Sequence, residues 1–357
     1  MLAYRYKAGV PRPVAERVPI PTLKPDQVLL KILAAGVCHS DLSCLDPTTV
    51  IGKGAIPRKT FTFGHESAGL ITELGSAVSA AFPHLKVGTY VVVGPSSCRR
   101  DSCLRCTAGL PNLCPHLTPH GLGADGSWAE YLCVRAAAAV PVPGTPETFP
   151  PAVAAVATDA VLTAYHAVKS CCALRPEHTV VCIGLGGVGL NGVAIAKACL
   201  GVRCLVASDM RAEAMQSARA AGADYTVPAK ELRRFVKEKK LAVDFVIDFV
   251  GAQDTFDLSL SIVRPGGTIH TLGIGANTLS IAPINTMMKD LTWKTSFWGT
   301  NTDLDEVLRA IADGKLKPKV ETRPMSQCVQ VLEDMHHGRL TGRVALIPDT
   351  LSERSRL

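Results

Sequence analysis

Apolar and polar positions along this chain change their period part-way through. Up to about residue 155 the apolar residues come in short β-type runs. Residues 28–33 alternate like a strand, 90–93 are a second apolar run, and Gly and Pro punctuate the segment throughout. That pattern predicts a compact barrel-like or irregular β region. Residues 136–151, rich in Ala and Pro, read as the passage out of it, and 152–170 read as an Ala-rich helix. From 179 to 299 strand and helix alternate, with strands at 179–183, 203–208, 244–250, 268–272 and 292–297 and helices at 190–200 and 254–262. Such alternation predicts a doubly wound parallel α/β sheet. Helices at 302–312 and 327–337 and a strand at 343–347 close the pattern.

The stretch 179–209 organises the rest. A β-branched run, Thr179-Val180-Val181-Cys182-Ile183, feeds into Gly184-Leu185-Gly186-Gly187-Val188-Gly189, and a helical pattern follows. Gly184 permits the tight turn, Gly186 allows the backbone close to a pyrophosphate, and Gly189 lets helix and strand pack. Free N–H groups at the helix start then face the phosphates. Asp209, twenty residues after Gly189, stands where a carboxylate accepts from both adenosine ribose hydroxyls. A glycine-rich loop alone means little, but strand, loop, helix, strand and acid in register predict dinucleotide binding. Asp209 repels a 2′-phosphate, which favours NAD over NADP, and nearby Arg211 softens that preference.

Composition bounds the setting. With 357 residues, 47% of them hydrophobic, and a mean hydropathy of +0.20, the chain can bury the cores of two domains. Its formal charge of +7 is spread along the sequence. The dense basic run 233–240 reads as a solvated helix face rather than a nucleic-acid patch. No signal peptide and no run near the roughly 20 apolar residues of a membrane span is evident, so a cytoplasmic protein with no nucleic-acid or membrane partner is expected. Residues 351–357 read as a polar, disordered end. Thirteen cysteines, an odd number, do not suit a disulfide scaffold. Cys133, Cys182, Cys199 and Cys204 fall in apolar segments and read as small buried hydrophobes.

The other cysteines fall in two groups. Gly36-Val37-Cys38-His39-Ser40-Asp41 places a thiol, an imidazole, a hydroxyl and a carboxylate together after a strand, and Phe63-Gly64-His65-Glu66 adds a second imidazole beside an acid. Cys38 and His65 offer the thiolate and neutral imidazole that suit zinc. A catalytic zinc needs a third ligand. Asp159 is the candidate, with a helix N-cap as its other reading. Cys98, Cys103, Cys106 and Cys114 lie within 17 residues, the spacing of a closed Cys₄ structural zinc site.

These residues, together with Gly126-Ser127-Trp128-Ala129-Glu130-Tyr131, Phe249-Val250-Gly251, Arg264-Pro265-Gly266-Gly267 and Gly342-Arg343-Val344 in that order, resemble the zinc-containing medium-chain alcohol dehydrogenases over nearly the whole chain. The resemblance implies a GroES-like, mostly β catalytic domain (1–155, with a structural-zinc lobe at 94–116, and 300–357) and a Rossmann NAD-binding domain (156–299). It implies two zinc ions per chain. Cys38, His65 and Asp159 would hold the catalytic one, Asp159 standing in the Thr158-Asp159-Ala160 pattern of a family subset. Glu66 would lie behind the metal, able to exchange into its coordination sphere. Asp41 would orient His65, and Ser40 would take the substrate proton. His39 and Arg343 would meet the pyrophosphate carried by Gly184, Gly186, Gly187 and Gly189, and Thr163 and Val188 would border the nicotinamide.

Two features depart from the family. Four residues separate Cys98 from Cys103 where relatives have two, and Ser43 stands where many have a proton-relay histidine. The activity implied is reversible NAD-dependent oxidation of an alcohol, with Phe297, Trp298 and Cys44 lining a pocket for a medium or bulky substrate. Core packing explains the two aromatic side chains as well. The alternatives are reduction of a C=C bond, and a non-redox biosynthetic or structural protein that keeps the fold. Relatives pair their Rossmann sheets edge to edge, which points to 293–297 and a homodimer or homotetramer.

Overall fold

The computed structural model describes residues 1–49, 51–52, 60–95, 102–117, 119–340 and 342–349. The chain divides into two compact units: Met1–Ala160 with Gly299–Ala312 and Lys317–Leu357, and Val161–Trp298 with Asp313–Leu316.

The first unit is built on one long strand, Gln27–Val37. It pairs antiparallel with Ser67–Leu74, with Tyr131–Arg135 and with Arg343–Ile347, in a seven-stranded sheet completed by Tyr90–Val93, Ala139–Pro141 and Val320–Pro324. A separate three-stranded sheet joins Leu2–Lys7 to Val14–Arg17 and Thr60–Thr62. Val28, Leu30, Ile32, Phe61, Phe63, Trp128 and Leu132 form the core. Burying side chains of this size stabilises by roughly 1.5–3 kcal/mol each.

Register does the positioning. Ala35 pairs with Ser67 and Val37 with Val344, so the residues flanking these pairs converge at one end of the strand. They are Cys38, His65, Glu66 and Arg343. A helix, Pro151–Val156, lies over the same strands and packs Ala152 and Val156 on Ala345. It then widens into a π-turn at Ala157–Val161, the distortion that often marks functional sites.

The second unit is a six-stranded parallel sheet in which Thr179–Ile183 and Val243–Asp248 are central. Numbered from Thr179–Ile183, its order is 3-2-1-4-5-6, the doubly wound dinucleotide-binding topology. The helix expected at 190–200 begins earlier, at Gly187, because the last glycines of the loop already take helical geometry. The strand expected at 292–297 stops at Thr295. The basic run lies mostly on the exposed face of Ala229–Glu238, whose Leu232 and Val236 face inward.

One expectation is corrected. The continuous helical stretch Pro151–Cys171 has the length and apolar composition of a membrane span, but 78% of its most apolar window is buried. Alanines alternating with Val and Leu make it a core helix. The polar end at 351–357 lies outside the described residues.

Candidate functional site

In the first unit Cys38 follows the last residue of its strand, Val37, and the helix His39–Leu45 starts at once. Asp41 Oδ2 accepts the Cys38 backbone N–H at 2.9 Å, which caps that helix. Its Oδ1 lies 3.2 Å from His65 Nδ1. A carboxylate only accepts, so Nδ1 carries the proton and Nε2 faces the other way. There it lies 3.8 Å from Asp159 Oδ2.

Ligand atoms of Cys38, His65, Glu66 and Asp159 all fall within 4.8 Å of one another. Cys38 and His65 are buried and Glu66 fully so, while the Asp159 side chain is 17% exposed. Two glycines make room for them. A Cβ on Gly36 would meet Glu66 Oε2 at 1.8 Å, and Gly64, at φ +96, lies against Trp128. Ser127 Oγ donates to the carbonyls of Gly64 (3.1 Å) and Glu66 (3.2 Å), and Trp128 Nε1 donates to Gly36 O at 3.1 Å. The sequence motif at 126–131 thus braces the site, a role its pattern did not disclose.

The charges are tightly interlocked. Burial works against the Cys38 thiolate, yet Arg343 and His65 hold its pKa below the ordinary thiol value. Burial also opposes protonated His65, but Asp41 and Asp159 keep its pKa well above the usual imidazole range. Burial pushes Glu66 well up, with Arg343 pulling the other way. Burial of Asp159 is more than offset by His65 and Arg343, which lower its pKa.

Arg343 is buried in the midst of these groups. Its Nη2 donates to Asp159 Oδ2 at 2.9 Å and lies 3.0 Å from Glu66 Oε1, and its Nη1 donates to Val37 O at 2.9 Å. The Glu66 contact is an ion pair. Both Glu66 oxygens are buried without a hydrogen bond among the described residues. Carboxylate oxygens without a hydrogen bond beside a thiol and an imidazole fit a dication, and the S, N, O donor set fits zinc.

Cys103, Cys106 and Cys114 form a second group, with all three Sγ atoms within 4.8 Å. Cys103 and Cys114 are 3.9 Å apart. Sulfurs about 2.3 Å from a tetrahedral zinc stand about 3.8 Å from one another, so the group fits that ion. The His116 N–H donates to Cys114 Sγ at 3.4 Å. Cys98, the expected fourth ligand, lies outside the described residues.

Of the remaining predicted residues in the first unit, His39 is exposed and Ser40 half-buried. The Ser40 hydroxyl lies 3.7 Å from Cys38 Sγ. Cys44 sits in the core, 3% exposed, so packing and not a pocket explains it.

In the second unit the glycine loop opens the helix Gly187–Ala198. A Cβ on Gly189 would meet Gly184 O at 1.9 Å, whereas one on Gly186 would meet nothing within 4 Å. Packing therefore demands the first glycine, and the space beside the second fits a dinucleotide's phosphates. Asp209 Oδ2 accepts the Leu185 N–H at 2.7 Å, and its Oδ1 accepts from Arg211 N at 2.9 Å and Nε at 3.2 Å. Burial of Asp209 is outweighed by Arg211, which lowers its pKa. The segment Leu162–Tyr165, with half-buried Thr163, packs on the helix that carries Val188. Phe297 is 52% exposed and Trp298 only 8%.

A buried group the motifs did not point to lies on the strand Val263–Thr271. His270 Nδ1 is 3.1 Å from Cys172 Sγ and its Nε2 is 2.9 Å from Ser296 Oγ.

Known proteins are similar to this chain over most of its length. Residues 24–144 match the alcohol dehydrogenase GroES-like domain, and residues 187–313 the zinc-binding dehydrogenase domain. An alcohol dehydrogenase of Geobacillus stearothermophilus is 31% identical over 332 residues, covering 91% of this chain and 93% of that protein. An NAD-dependent alcohol dehydrogenase of Sulfurisphaera tokodaii is 31% identical over 354 residues, covering 93% and 96%. Among solved structures, acetophenone reductase from Geotrichum candidum in complex with NAD is 34% identical, with a TM-score of 0.84 over 97% of this chain and 96% of that one. The alcohol dehydrogenase of Aeropyrum pernix is 28% identical, with a TM-score of 0.87 over 98% and 100%. The chain belongs to the zinc-containing medium-chain alcohol dehydrogenase family.

Proposed function

We propose that this chain interconverts an alcohol and its carbonyl with NAD as hydride carrier, using a zinc ion held by Cys38, His65 and Asp159. The convergence of these side chains with the Glu66 carboxylate, whose oxygens accept no hydrogen bond among the described residues, carries the reading. Bound zinc supplies the charge that makes an alcohol acidic near neutral pH and polarises a carbonyl in reverse, and the nicotinamide supplies the hydride acceptor. Cys38 as thiolate and Asp159 as carboxylate balance a dication, so developing negative charge on the substrate oxygen meets no surplus of anions. Asp41 keeps the His65 proton on Nδ1 and leaves Nε2 for the metal. Ser40 takes the hydroxyl proton. Ser43, half-buried on the same helix, offers no imidazole, so the onward relay is shorter, water-mediated or elsewhere.

Cys103, Cys106 and Cys114, with Cys98, would hold a second, structural zinc. Gly184, Gly186, Gly187 and Gly189 would cradle the cofactor, with His39 meeting its pyrophosphate and Thr163 and Val188 bordering its nicotinamide; Arg343, expected at the pyrophosphate too, is instead turned inward onto Asp159, Glu66 and Val37. Asp209 would take the adenosine ribose, which favours NAD. Phe297 and Trp298 support a bulky apolar substrate, as does the likeness to a protein described as an acetophenone reductase. Exposed Trp293 on the edge strand Thr292–Thr295, with Met287 and Met288 nearby in sequence, supports a homo-oligomer through that edge.

The test is NADH absorbance with zinc-loaded protein and a panel of primary and secondary alcohols and the matching carbonyls. Turnover of aryl or medium-chain secondary alcohols is expected. Tight NADH binding and full zinc with no turnover on any substrate would contradict the reading.

A further inference from the structure

Arg343 sits where an arginine needs a reason. Its side chain is 6% exposed, and its contacts reach three segments that each supply or adjoin a metal-ligand candidate. Nη1 donates to Val37 O, beside Cys38. Nη2 lies against Glu66, beside His65, and donates to Asp159 itself. The oxygen it engages, Asp159 Oδ2, is also the one 3.8 Å from His65 Nε2. The guanidinium and a metal ion held by Cys38, His65 and Asp159 would therefore neutralise the same carboxylates.

Burying anions without a partner is costly, and removing one member of a buried pair is costlier still. A guanidinium this close also repels an incoming dication. Both effects act in the same direction. On the reading that these residues hold zinc, we infer that Arg343 is a built-in counter-cation, negatively coupled to the metal. It keeps the ligand-bearing segments assembled whether or not metal is bound, and it weakens metal binding in doing so. Because coupling is reciprocal, bound metal must equally reduce the protein's dependence on Arg343.

The experiment compares wild type, R343Q and R343K, each metal-stripped and zinc-loaded. Zinc affinity is read by chelator competition and stability by thermal unfolding, with D159A marking the site's own zinc. R343Q should lower the Tm of the stripped protein, recover most of that loss on zinc loading, and bind zinc about tenfold more tightly. R343K, which keeps the charge, should stay near wild type in affinity. If R343Q binds zinc more weakly, or loses as much Tm loaded as stripped, Arg343 acts only as a structural anchor and the inference is overturned. If R343Q does not fold without metal, R343K still decides, because tightening in R343K would show that charge is not the cause. If wild type takes up only the zinc of the cysteine group, the metal-site reading fails and this inference with it. If wild type and D159A differ by one zinc but R343Q matches wild type, that reading stands and only the coupling falls.

Discussion

Asp41 touches Cys38 and His65 with its two oxygens, at 2.9 Å to the Cys38 N–H and 3.2 Å to His65 Nδ1. One fully buried carboxylate thus starts a helix, fixes the residue before it and sets the tautomer of an imidazole in the bend that precedes another strand. Asp41→Asn keeps the shape and removes the charge. Zinc affinity at the Asp159 site should fall about 10- to 100-fold, measured by chelator competition, while zinc at the cysteine group stays in place. Equal loss from both sites would point to general unfolding.

On the proposed reading, Asp209 and Arg211 would divide the cofactor preference between them. Asp209 ties the Leu185 N–H to the end of the strand Cys204–Asp209, and Arg211 pairs with its other oxygen. Asp209→Ala should weaken NADH binding roughly ten- to hundredfold, the worth of hydrogen bonds to a charged group, and improve the standing of NADPH. Arg211→Ala should sharpen the preference for NADH. Fluorescence titration with both cofactors reads both effects, and an unchanged NADH to NADPH ratio in both variants would rule out the pair as determinant.

His270 gives the second unit an acid-side weakness. Burial, with Lys294 and His166 as cationic neighbours, pushes its pKa from the ordinary 6.5 down to about 4. Between those values the unfolded chain binds the proton and the folded chain does not. Stability from this group is therefore complete above pH 6.5 and drains as pH falls toward 4, by about 3 kcal/mol in all. Denaturant unfolding of wild type and His270→Gln at pH 7 and pH 4.5 should show the gap between them shrinking at the lower pH. A constant gap would mean that the imidazole does not titrate in this window.

Much of this was legible in the chain because local pattern and tertiary placement agree. Thr179–Ile183, its glycine loop and Asp209 lie within one strand-helix-strand unit, so spacing alone predicts their meeting. Cys38 and His65 were readable because each lies just past a glycine near a strand boundary, Cys38 two residues after Gly36 and His65 directly after Gly64. Asp159 was less so, since a π-turn and not a regular helix aims it. The inward commitment of Arg343 was not readable. Its partners Asp159 and Val37 lie 184 and 306 residues away, brought close only by the pairing of Val344 with Val37. Ser127 and Trp128 escaped for the same reason, their acceptors being backbone carbonyls on distant segments.

The most direct test counts zinc and turnover together in wild type and Asp159→Ala. Two zinc ions per wild-type chain with NAD-dependent alcohol turnover are expected, and one zinc with turnover lost in the variant. A variant that keeps both zinc ions and wild-type turnover would contradict the account and remove Asp159 from the site.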